Sequence, residues 1–591
     1  MKTNLLILGA ALLMGSLAAA EPVNMPAVPP KIVAYAERPS AVYKTGEEIR
    51  FKIWLIQPGN IAVKDPADPD KEKQLEGVEV NWELTGDGGY SRKGSLVSEK
   101  EPAVVTAELG RPGFVLLKVT AAPPGGKKIV RCAGAGIEPE KIVSGTTMPA
   151  DFESYWQERI RKMRERTPEI TVQDITRRYP RVYQESVRIF DVRIADGEIN
   201  ATGILTIPRW TGKEKLPAII TFGGASWLGA QARFSEAVAR GAMIFHMNIH
   251  DTINTVPEAM KKELRARPDI RDYQFNNLLE REKYMPGKIF LRIVRSLDYL
   301  KSRPEWNGKD LIATGPSFGG CQSIVAAALD KDVTLCCPGG PAMCDHLGSR
   351  NNQINGWPQL LKRYQDTPEN AKLAAENSAY FDSANMARLI RCPVGFAVGF
   401  IDETCPPTSV YAAYNNIPSG NKRMIHGTRA AHGDSLKPEE PGAFSSALTP
   451  LYREICNGTE MLTNGSFRYR DFADGKFIPY AWPAIGGVAV VEGEPENDSC
   501  FVRLSPGTEI RQNVFNIPGT ECKVRLTGQL RGKGTLTVRL DDSGAPFVTP
   551  AGEDWTLFEH DFTMPEGVRG HLLKMLAGDG VLELKELSLK Y

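Results

Sequence analysis

Apolar and polar positions alternate along residues 26–136, which is the period of strands that bury one face. In "EIRFKIWL" the apolar residues Ile49, Phe51 and Ile53 fall on one side, and "VEVNWEL" begins the same alternation at Val78. Turn-rich segments separate these runs, and no helical stretch interrupts them. The pattern predicts a β-sandwich of immunoglobulin-like type.

The pattern changes at "TTMPADFESYWQERIRKMRER", where aromatic residues follow Pro149 at helical spacing. From there to about Cys456, strands alternate with helices. The run "PAIITF" is apolar throughout, as expected of a strand that is buried on both faces. In "GKIFLRIVRSLDYLKSR" the residues Ile289, Ile293 and Leu297 recur near a period of 3.6. The alternation predicts an α/β domain whose sheet is mostly parallel and flanked by helices.

After about Met461 the chain returns to strands alone, such as "CKVRLTGQL" and "TLTVRLD", with turn signals such as "SPGT" between them. These strands predict a second β-sandwich. The predicted layout is therefore multidomain. It consists of a leader over 1–20, a β-sandwich over 21–145, the α/β domain over 146–457 and the second β-sandwich over 460–591.

The leader has the pattern of a secretory signal peptide. Lys2 is followed by an apolar run from Leu5 to Leu17, and three alanines precede Glu21. This run is shorter than the roughly 20 apolar residues that a membrane span needs. We therefore expect an exported protein, periplasmic or secreted, without a membrane anchor. The net charge of +1 over 591 residues argues against nucleic acid as a partner.

Ten cysteines in a chain of this length do not indicate a disulfide scaffold. No Cys-x-x-Cys pair occurs, so no zinc site is indicated. Cys500 and Cys522 begin two strand-like runs. Because a sequence does not give the distance between them, it leaves open whether they pair.

One serine stands between glycines where a predicted strand meets a predicted helix, in Gly315-Pro316-Ser317-Phe318-Gly319. In this pattern a tight turn lifts the serine hydroxyl above the carboxyl end of the sheet. The next amide, that of Phe318, lies at a helix N-terminus and can donate to an oxyanion. The alternative is an ordinary glycine-rich turn in which the serine has no role.

A nucleophilic serine needs a base and an acid that orients it. The chain has seven histidines, and only His432 follows the last predicted strand of the α/β domain. Asp402 follows the apolar strand "CPVGFAVGF", so serine, acid and histidine occur in the chain order of this fold. Alone, His432 is better explained as a loop residue and Asp402 as a helix cap. Their joint order and placement favour a triad with Ser317.

The sequence also offers candidates for the oxyanion site and for the pocket wall. The loop after "PAIITF" offers Gly223 and Gly224, and Gly224 is the preferred second oxyanion donor. Trp227 in the same loop is a candidate for the pocket wall, although simple packing is an alternative. Gly433–Leu436 spells the GDSL of another esterase class, but it follows the sheet strands and is interpreted as a coincidence.

With these residues in view, the α/β domain resembles the acetyl xylan esterase and cephalosporin-C deacetylase family of α/β-hydrolases. "TGPSFGG" resembles the family's Gly-Gly-Ser-Gln-Gly-Gly elbow, and "CPVGFAVGFIDETCPPTSVYAAYN" is close to its acid strand and following helix. The resemblance implies Ser317 as nucleophile, Asp402 as acid and His432 as base. It also implies oxyanion amides at Gly224 and Phe318, and no metal or organic cofactor.

The sequence departs from the family at two places. Phe318 stands where the family has glutamine, so substrate preference is expected to differ. "NIHDTINT" replaces an Arg-Gly loop, so assembly of identical subunits is left open.

The C-terminal segments "LTNGSF" and "GVLELKELSLKY" resemble jelly-roll carbohydrate-binding modules in their frame. Tyr480 and Trp482, and likewise Trp555, are candidates to stack on sugar rings, with core packing as the alternative. Such frames often hold a structural calcium, but no acidic cluster identifies a site.

The expected function is removal of acetyl groups from xylan-derived or other acetylated plant oligosaccharides by a serine carboxylesterase. One alternative is another ester, such as a feruloyl, uronoyl or aryl ester. An alternative of a different class is a glycan-binding protein with an inactive hydrolase core.

Overall fold

The structure is a computed structural model that describes residues 29–57, 73–123, 126–418, 420–432, 448, 451–453, 455–458, 460–473, 476–495, 499–515, 522–541, 545–564 and 570–591. The predicted signal peptide and the tetrapeptide Gly433–Leu436 lie outside these residues. Among the helices that are described, none combines the length and the apolar character that a membrane crossing requires.

Two small sheets enclose one core at the N-terminal end. In the first, the central strand β3 pairs with the other three; its strands are β1 (Lys31–Ala36), β3 (Ile49–Gln57), β4 (Lys73–Gln74) and β7 (Ala103–Ala107). The second has the order β2 (Val42–Tyr43), β9 (Ile129–Ile137), β8 (Gly113–Ala121), β5 (Glu79–Gly86) and β6 (Ser91–Val97). Ile49, Phe51 and Ile53 are all buried on one face of β3, which confirms the predicted alternation.

A nine-stranded mixed sheet forms the middle of the chain. Its order is β10 (Glu169–Asp174), β11 (Val187–Ala195), β12 (Ala201–Pro208), β14 (Met243–Asn248), β13 (Leu216–Phe222), β15 (Trp306–Pro316), β16 (Leu335–Gly339), β17 (Val394–Gly399) and β18 (Lys422–Gly427). The pairings among β13 to β18 are parallel, as predicted. The pairings β10–β11, β11–β12 and β12–β14 are antiparallel, and sequence analysis identified none of β10, β11 and β12.

Helices cover both faces of this sheet. They are α1 (Phe152–Arg164), α2 (Arg181–Ser186), α3 (Phe234–Arg240), α4 (Glu258–Ala266), α5 (Met285–Ser302), α6 (Phe318–Leu329), α7 (Pro368–Ser378), α8 (Ser383–Met386) and α9 (Pro407–Asn415). Ile220 of β13 belongs to the core on the side of α5 and α6, whereas Ile219 belongs to the core on the side of α3. The α5 and α6 core is continuous with the core of the N-terminal sandwich.

The C-terminal end contains two five-stranded sheets around a separate core. The first sheet has the order β21 (Ala484–Ile485), β24 (Glu509–Phe515), β29 (Gly570–Ala577), β26 (Thr535–Leu540) and β27 (Phe547–Pro550). The second has the order β22 (Ala489–Glu492), β23 (Phe501–Leu504), β30 (Leu582–Lys590), β25 (Cys522–Gly532) and β28 (Thr556–Met564). A hairpin of β19 (Arg470–Ala473) and β20 (Lys476–Pro479) precedes them.

The structure corrects one assignment in this C-terminal region and answers one question that the sequence left open. Trp482 is 1% exposed and its indole N–H donates to the carbonyl oxygen of Thr463 at 3.1 Å, so no ring face is open to a sugar. The prediction that Trp482 stacks on glycan is therefore wrong, because its ring fills the core. Cys522 is a free thiol, so the pairing with Cys500 is not formed.

Candidate active site

Ser317 lies at a sharp turn between β15 and α6, with φ of 59° and ψ of −122°. This backbone conformation costs a non-glycine residue about 1–3 kcal/mol and persists only where its surroundings hold it. A Cβ on Gly315 would lie 2.7 Å from the carbonyl oxygen of Phe222, and one on Gly319 would lie 2.5 Å from the same atom. Because strand and helix approach this closely, the two positions flanking the turn accept only glycine.

A chain of hydrogen bonds joins Ser317, His432 and Asp402. His432 Nε2 lies 2.9 Å from Ser317 Oγ, and His432 Nδ1 lies 2.8 Å from Asp402 Oδ2. The second carboxylate oxygen, Oδ1, accepts the backbone N–H groups of Thr404 and Cys405, each at 2.8 Å. The Asp402 side chain is fully buried, while that of His432 is 28% exposed and can meet a substrate.

The parallel strands bring these residues to one edge of the sheet. Ser317 follows β15 directly, Asp402 follows β17, and His432 follows β18. The two loops that carry Asp402 and His432 are also bonded to each other. The N–H of Phe400 donates to Gly427 at 3.0 Å, and the N–H of Ile401 donates to Ala430 at 3.1 Å.

Two backbone amides are available beside the serine. Phe318 opens α6, where the first N–H groups of a helix have no partner within the helix. Gly224 lies next to the serine, since a Cβ built on it would be 3.9 Å from Ser317 Cβ. Within the described part of the chain, neither amide donates to another backbone group. The two positions predicted as oxyanion donors therefore adjoin the serine.

The Phe318 side chain is fully buried among aromatic rings. Its ring centroid lies 5.5 Å from that of Tyr273 and 5.8 Å from that of Trp357. Tyr273 in turn contacts the ring of His250 edge-on at 5.1 Å. Tyr273 and Trp357 were not predicted from the sequence, because they lie in irregular segments far from any motif.

Trp227 lines a cavity of about 340 Å³ that also reaches the strand leading to the elbow. Its side chain is 37% exposed and its ring meets that of His246 edge-on at 5.4 Å. Gly223, Gly315 and Pro316 also line this cavity. Ser317, Asp402 and His432 are not among the described residues that line this cavity, so the role of Trp227 in a substrate pocket stays a prediction.

Burial keeps the neighbouring histidines neutral. Desolvation lowers the pKa of His246 to about 3 and that of His250 to about 4. His426 contacts the hydroxyl of Tyr411, and His571 contacts Asp541 in the C-terminal sheets. Each of these histidines is therefore occupied in packing or in a local hydrogen bond, and His432 is the one beside a serine hydroxyl.

One group of side chains has the types that bind a metal. A carboxylate oxygen of Asp402, the sulfur of Cys405 and a ring nitrogen of His432 all lie within 4.8 Å of one another. Burial raises the pKa of the Cys405 thiol well above its usual value. Two members of the group already form the hydrogen-bonded chain to Ser317, so an ion bound there would compete with that chain.

Tyr480 lies outside this site. Its ring is half-buried and meets the ring of Phe234 edge-on at 5.2 Å, where the C-terminal region packs on α3.

The strand order, the elbow at Ser317 and the Ser317–His432–Asp402 arrangement define an α/β-hydrolase. The protein-family model described as "Acetyl xylan esterase (AXE1)" matches residues 140–436, just over half of the chain. The protein belongs to the acetyl xylan esterase family and is a carboxylic-ester hydrolase.

One curated protein and two solved structures are similar to parts of this chain. Acetyl esterase Axe7A of Xylanibacter ruminicola is 26% identical over 392 residues, which cover 65% of this chain and 83% of that protein. The acetyl xylan esterase from Paenibacillus sp. R4 has a TM-score of 0.45 at 22% identity, covering 53% of this chain and 98% of that one. Acetyl xylan esterase 1 from a Thermoanaerobacterium species has a TM-score of 0.46 at 20% identity, covering 54% and 98%.

Proposed function

We propose that the protein is an exported serine esterase that removes acetyl groups from xylan-derived or other acetylated plant oligosaccharides. The observation that carries this proposal is the continuous hydrogen-bonded chain from Asp402 through His432 to Ser317. Membership of the acetyl xylan esterase family supports the substrate class.

In the first half of the proposed reaction, Ser317 Oγ attacks the carbonyl carbon of the acetyl ester. His432 Nε2 takes the hydroxyl proton, and Asp402 Oδ2 accepts from Nδ1–H and stabilises the imidazolium. The amides of Gly224 and Phe318 donate to the oxyanion of the tetrahedral intermediate. When the ester C–O bond breaks, His432 returns the proton to the departing sugar oxygen, which leaves acetyl-Ser317.

In the second half, His432 takes a proton from water, and the hydroxyl oxygen attacks the acetyl carbonyl. The tetrahedral intermediate collapses, the proton returns to Ser317 Oγ, and acetate leaves. These steps use only side chains and amides of this chain, so the proposed reaction involves no cofactor.

The preference for a small acyl group is proposed from the residue that follows the serine. The ring of Phe318 is fully buried, with Tyr273 and Trp357 packed against it. Because a close-packed wall resists larger groups, these rings favour acetyl over bulkier acyl esters.

Experiments on acetylated xylan test the proposal. We expect Ser317→Ala to lower acetate release by at least about 1000-fold, because no alkoxide can form. Ser323→Ala is the matched control, since this buried serine of α6 donates only to the carbonyl oxygen of Gly319. Turnover of feruloyl or uronoyl esters without turnover of any acetyl ester would assign another acyl group. Failure of a fluorophosphonate to label the protein would indicate an inactive core that only binds glycan.

The N-terminal sheets are proposed to form an immunoglobulin-like domain over 21–145, and the C-terminal sheets a jelly-roll module over 460–591, on either side of the hydrolase domain over 146–457. The sheet composition supports this division, since none of the sheets formed by the described strands combines strands from two of the three regions. The leader over 1–20 is proposed to direct export.

Glycan binding by the C-terminal module is proposed to use Trp555. The ring is partly exposed, and Arg531 and Lys585 each lie 4.6 Å from its centroid. Both side chains come from adjacent strands, β25 and β30. The exposed part of the ring is proposed to stack on a sugar. Trp555→Ala should abolish retention on insoluble xylan, whereas Leu557→Ala, at a position 67% exposed, should not. Equal retention of both variants would reject this assignment.

A further inference from the structure

We propose that the N-terminal sandwich positions the acid and the base of the active site, by packing directly against the loops that carry Asp402 and His432. The proposal rests on the catalytic roles proposed above for these two residues. It assigns Gly134, Asp87 and Phe114, none of which contacts the reacting atoms, as positioning residues.

The closest approach is between β9 of the sandwich and the segment that leads to Asp402. A Cβ on Gly134 would lie 2.2 Å from the carbonyl oxygen of Phe400 and 2.7 Å from its carbonyl carbon. Phe400 stands directly after β17 and two residues before Asp402. The loop that carries Asp402, between β17 and α9, is called the acid loop below. Its backbone therefore contacts the backbone of the sandwich, with no side chain between them.

The ring of Phe114 extends this contact. It meets the ring of Phe400 edge-on with 5.1 Å between centroids, and its centroid lies 5.8 Å from that of Tyr411 in α9. All three side chains are at most 4% exposed. Since α9 is the helix that follows the acid loop, the sandwich contacts this loop at both of its ends.

A buried carboxylate fixes the same contact with hydrogen bonds. Asp87 is fully buried, and its Oδ2 accepts from the N–H of Phe114 at 2.8 Å and from the hydroxyl of Thr408 in the first turn of α9. Its Oδ1 accepts from the N–H of Ile354 at 2.8 Å, in the loop that carries Trp357. Asp87 thus joins the sandwich to α9 and to the loop behind Phe318.

The segment after β18 that carries His432, called the base loop below, also contacts the sandwich. The guanidinium carbon of Arg429, three residues before His432, lies 4.9 Å from the ring centroid of Tyr35 in β1. Because the acid and base loops are also bonded to each other through Ile401 and Ala430, displacement of one loop displaces the other.

This arrangement predicts a kinetic effect rather than only a stability effect. A misplacement of about 1 Å between reacting groups can cost about 100-fold in rate, even when its cause lies far from the chemistry. Binding of the sugar does not depend on the acid loop alone, so the loss should appear in kcat rather than in KM.

The test compares two pairs of variants, with rates normalised to the concentration of sites that a fluorophosphonate can label. Gly134→Ala is paired with Gly110→Ala, because Gly110 lies in the same sandwich and a Cβ there would meet nothing within 4 Å. Thr408→Val keeps the side-chain volume but removes the hydroxyl that donates a hydrogen bond to Asp87 Oδ2. Thr408→Ser restores this donor.

We expect Gly134→Ala and Thr408→Val to lower kcat about 10- to 100-fold with KM within about threefold of the parent. Gly110→Ala should match the parent, and Thr408→Ser should recover most of the rate. The proposal is overturned if both test variants keep kcat within about twofold while only the melting temperature falls. If Gly134→Ala does not fold, the kcat values of Thr408→Val and Thr408→Ser decide whether the sandwich has a positioning role.

Asp402→Ala and Ser317→Ala are measured alongside. If these variants keep full activity, the proposed function fails. If they lose activity while the sandwich variants keep theirs, only the positioning role fails.

Discussion

The ring of Phe318 packs nearly edge to face against the ring of Trp357, with 5.8 Å between centroids and an interplanar angle of 62°. Phe318 also supplies one of the two amides beside Ser317. The same residue therefore contributes its backbone to the proposed oxyanion site and its side chain to a buried aromatic cluster with Tyr273 and Trp357.

Replacing this ring should widen the acyl preference. We expect Phe318→Ala to raise activity on butyryl esters relative to acetyl esters about tenfold, because it opens space beside the nucleophile while keeping the amide. The control is Phe245→Ala, which removes an equally buried ring in β14. Both should lose about 3–5 kcal/mol of unfolding free energy. An unchanged butyryl-to-acetyl ratio in Phe318→Ala would show that the ring does not limit the acyl group.

The amide of Gly224 is tested by a pair of substitutions at the same position. Gly224→Ala keeps the N–H, and its Cβ would meet nothing closer than 3.8 Å, so activity should stay near that of the parent. Gly224→Pro removes the N–H and should lower kcat about 100- to 1000-fold, the usual cost of one oxyanion donor. Steady-state kinetics on an acetyl ester measure both. Similar kcat values for the two variants would argue that another group binds the oxyanion.

Acid should destabilise the hydrolase domain through His246. Burial lowers the pKa of His246 to about 3, below the unfolded value of about 6.5, so the unfolded chain binds the extra proton. The stabilisation that comes from neutral His246 is complete above pH 6.5 and is lost as the pH falls toward the folded value, by about 3 kcal/mol at pH 4.5.

Urea unfolding followed by tryptophan fluorescence at several pH values measures this loss. In His246→Asn the amide oxygen can still accept from the N–H of Gln231, which donates to His246 Nδ1 at 2.9 Å in the parent. The variant should therefore show a flatter pH dependence. The same slope in parent and variant would assign the acid sensitivity to other groups.

Zinc should inhibit the enzyme rather than activate it. Asp402, Cys405 and His432 offer oxygen, sulfur and nitrogen ligands, and a Zn²⁺ ion bound to them would break the chain to Ser317. Cys405→Ala keeps the backbone N–H that donates to Asp402 Oδ1. The substitution should weaken inhibition by Zn²⁺ at least about tenfold, because it removes the sulfur ligand. Inhibition curves with reversal by a chelator measure this. Equal inhibition of both forms would place the ion elsewhere.

Residues with a strong local pattern could be predicted from the sequence. The elbow glycines enclose Ser317, and predicted strands precede Asp402 and His432, so chain order alone indicated that the three would meet. Tyr273 and Trp357 could not be found in this way, because only the folding of separate irregular segments brings them to Phe318. For Trp482 the sequence left both stacking and core packing open, because an aromatic residue between two strands has the same local pattern whether its ring faces solvent or the core.

The N-terminal sandwich and the hydrolase domain share one apolar core, which has a consequence for biosynthesis. The sandwich leaves the ribosome before the hydrolase domain, and the part of its core that contacts Phe400 and Tyr411 stays unpaired until those residues are made. A shortened gene product that begins at the hydrolase domain would expose Phe400, Tyr411 and their apolar neighbours. Such a fragment should aggregate or depend on chaperones, so the two parts are expected to be inherited together rather than exchanged as separate modules.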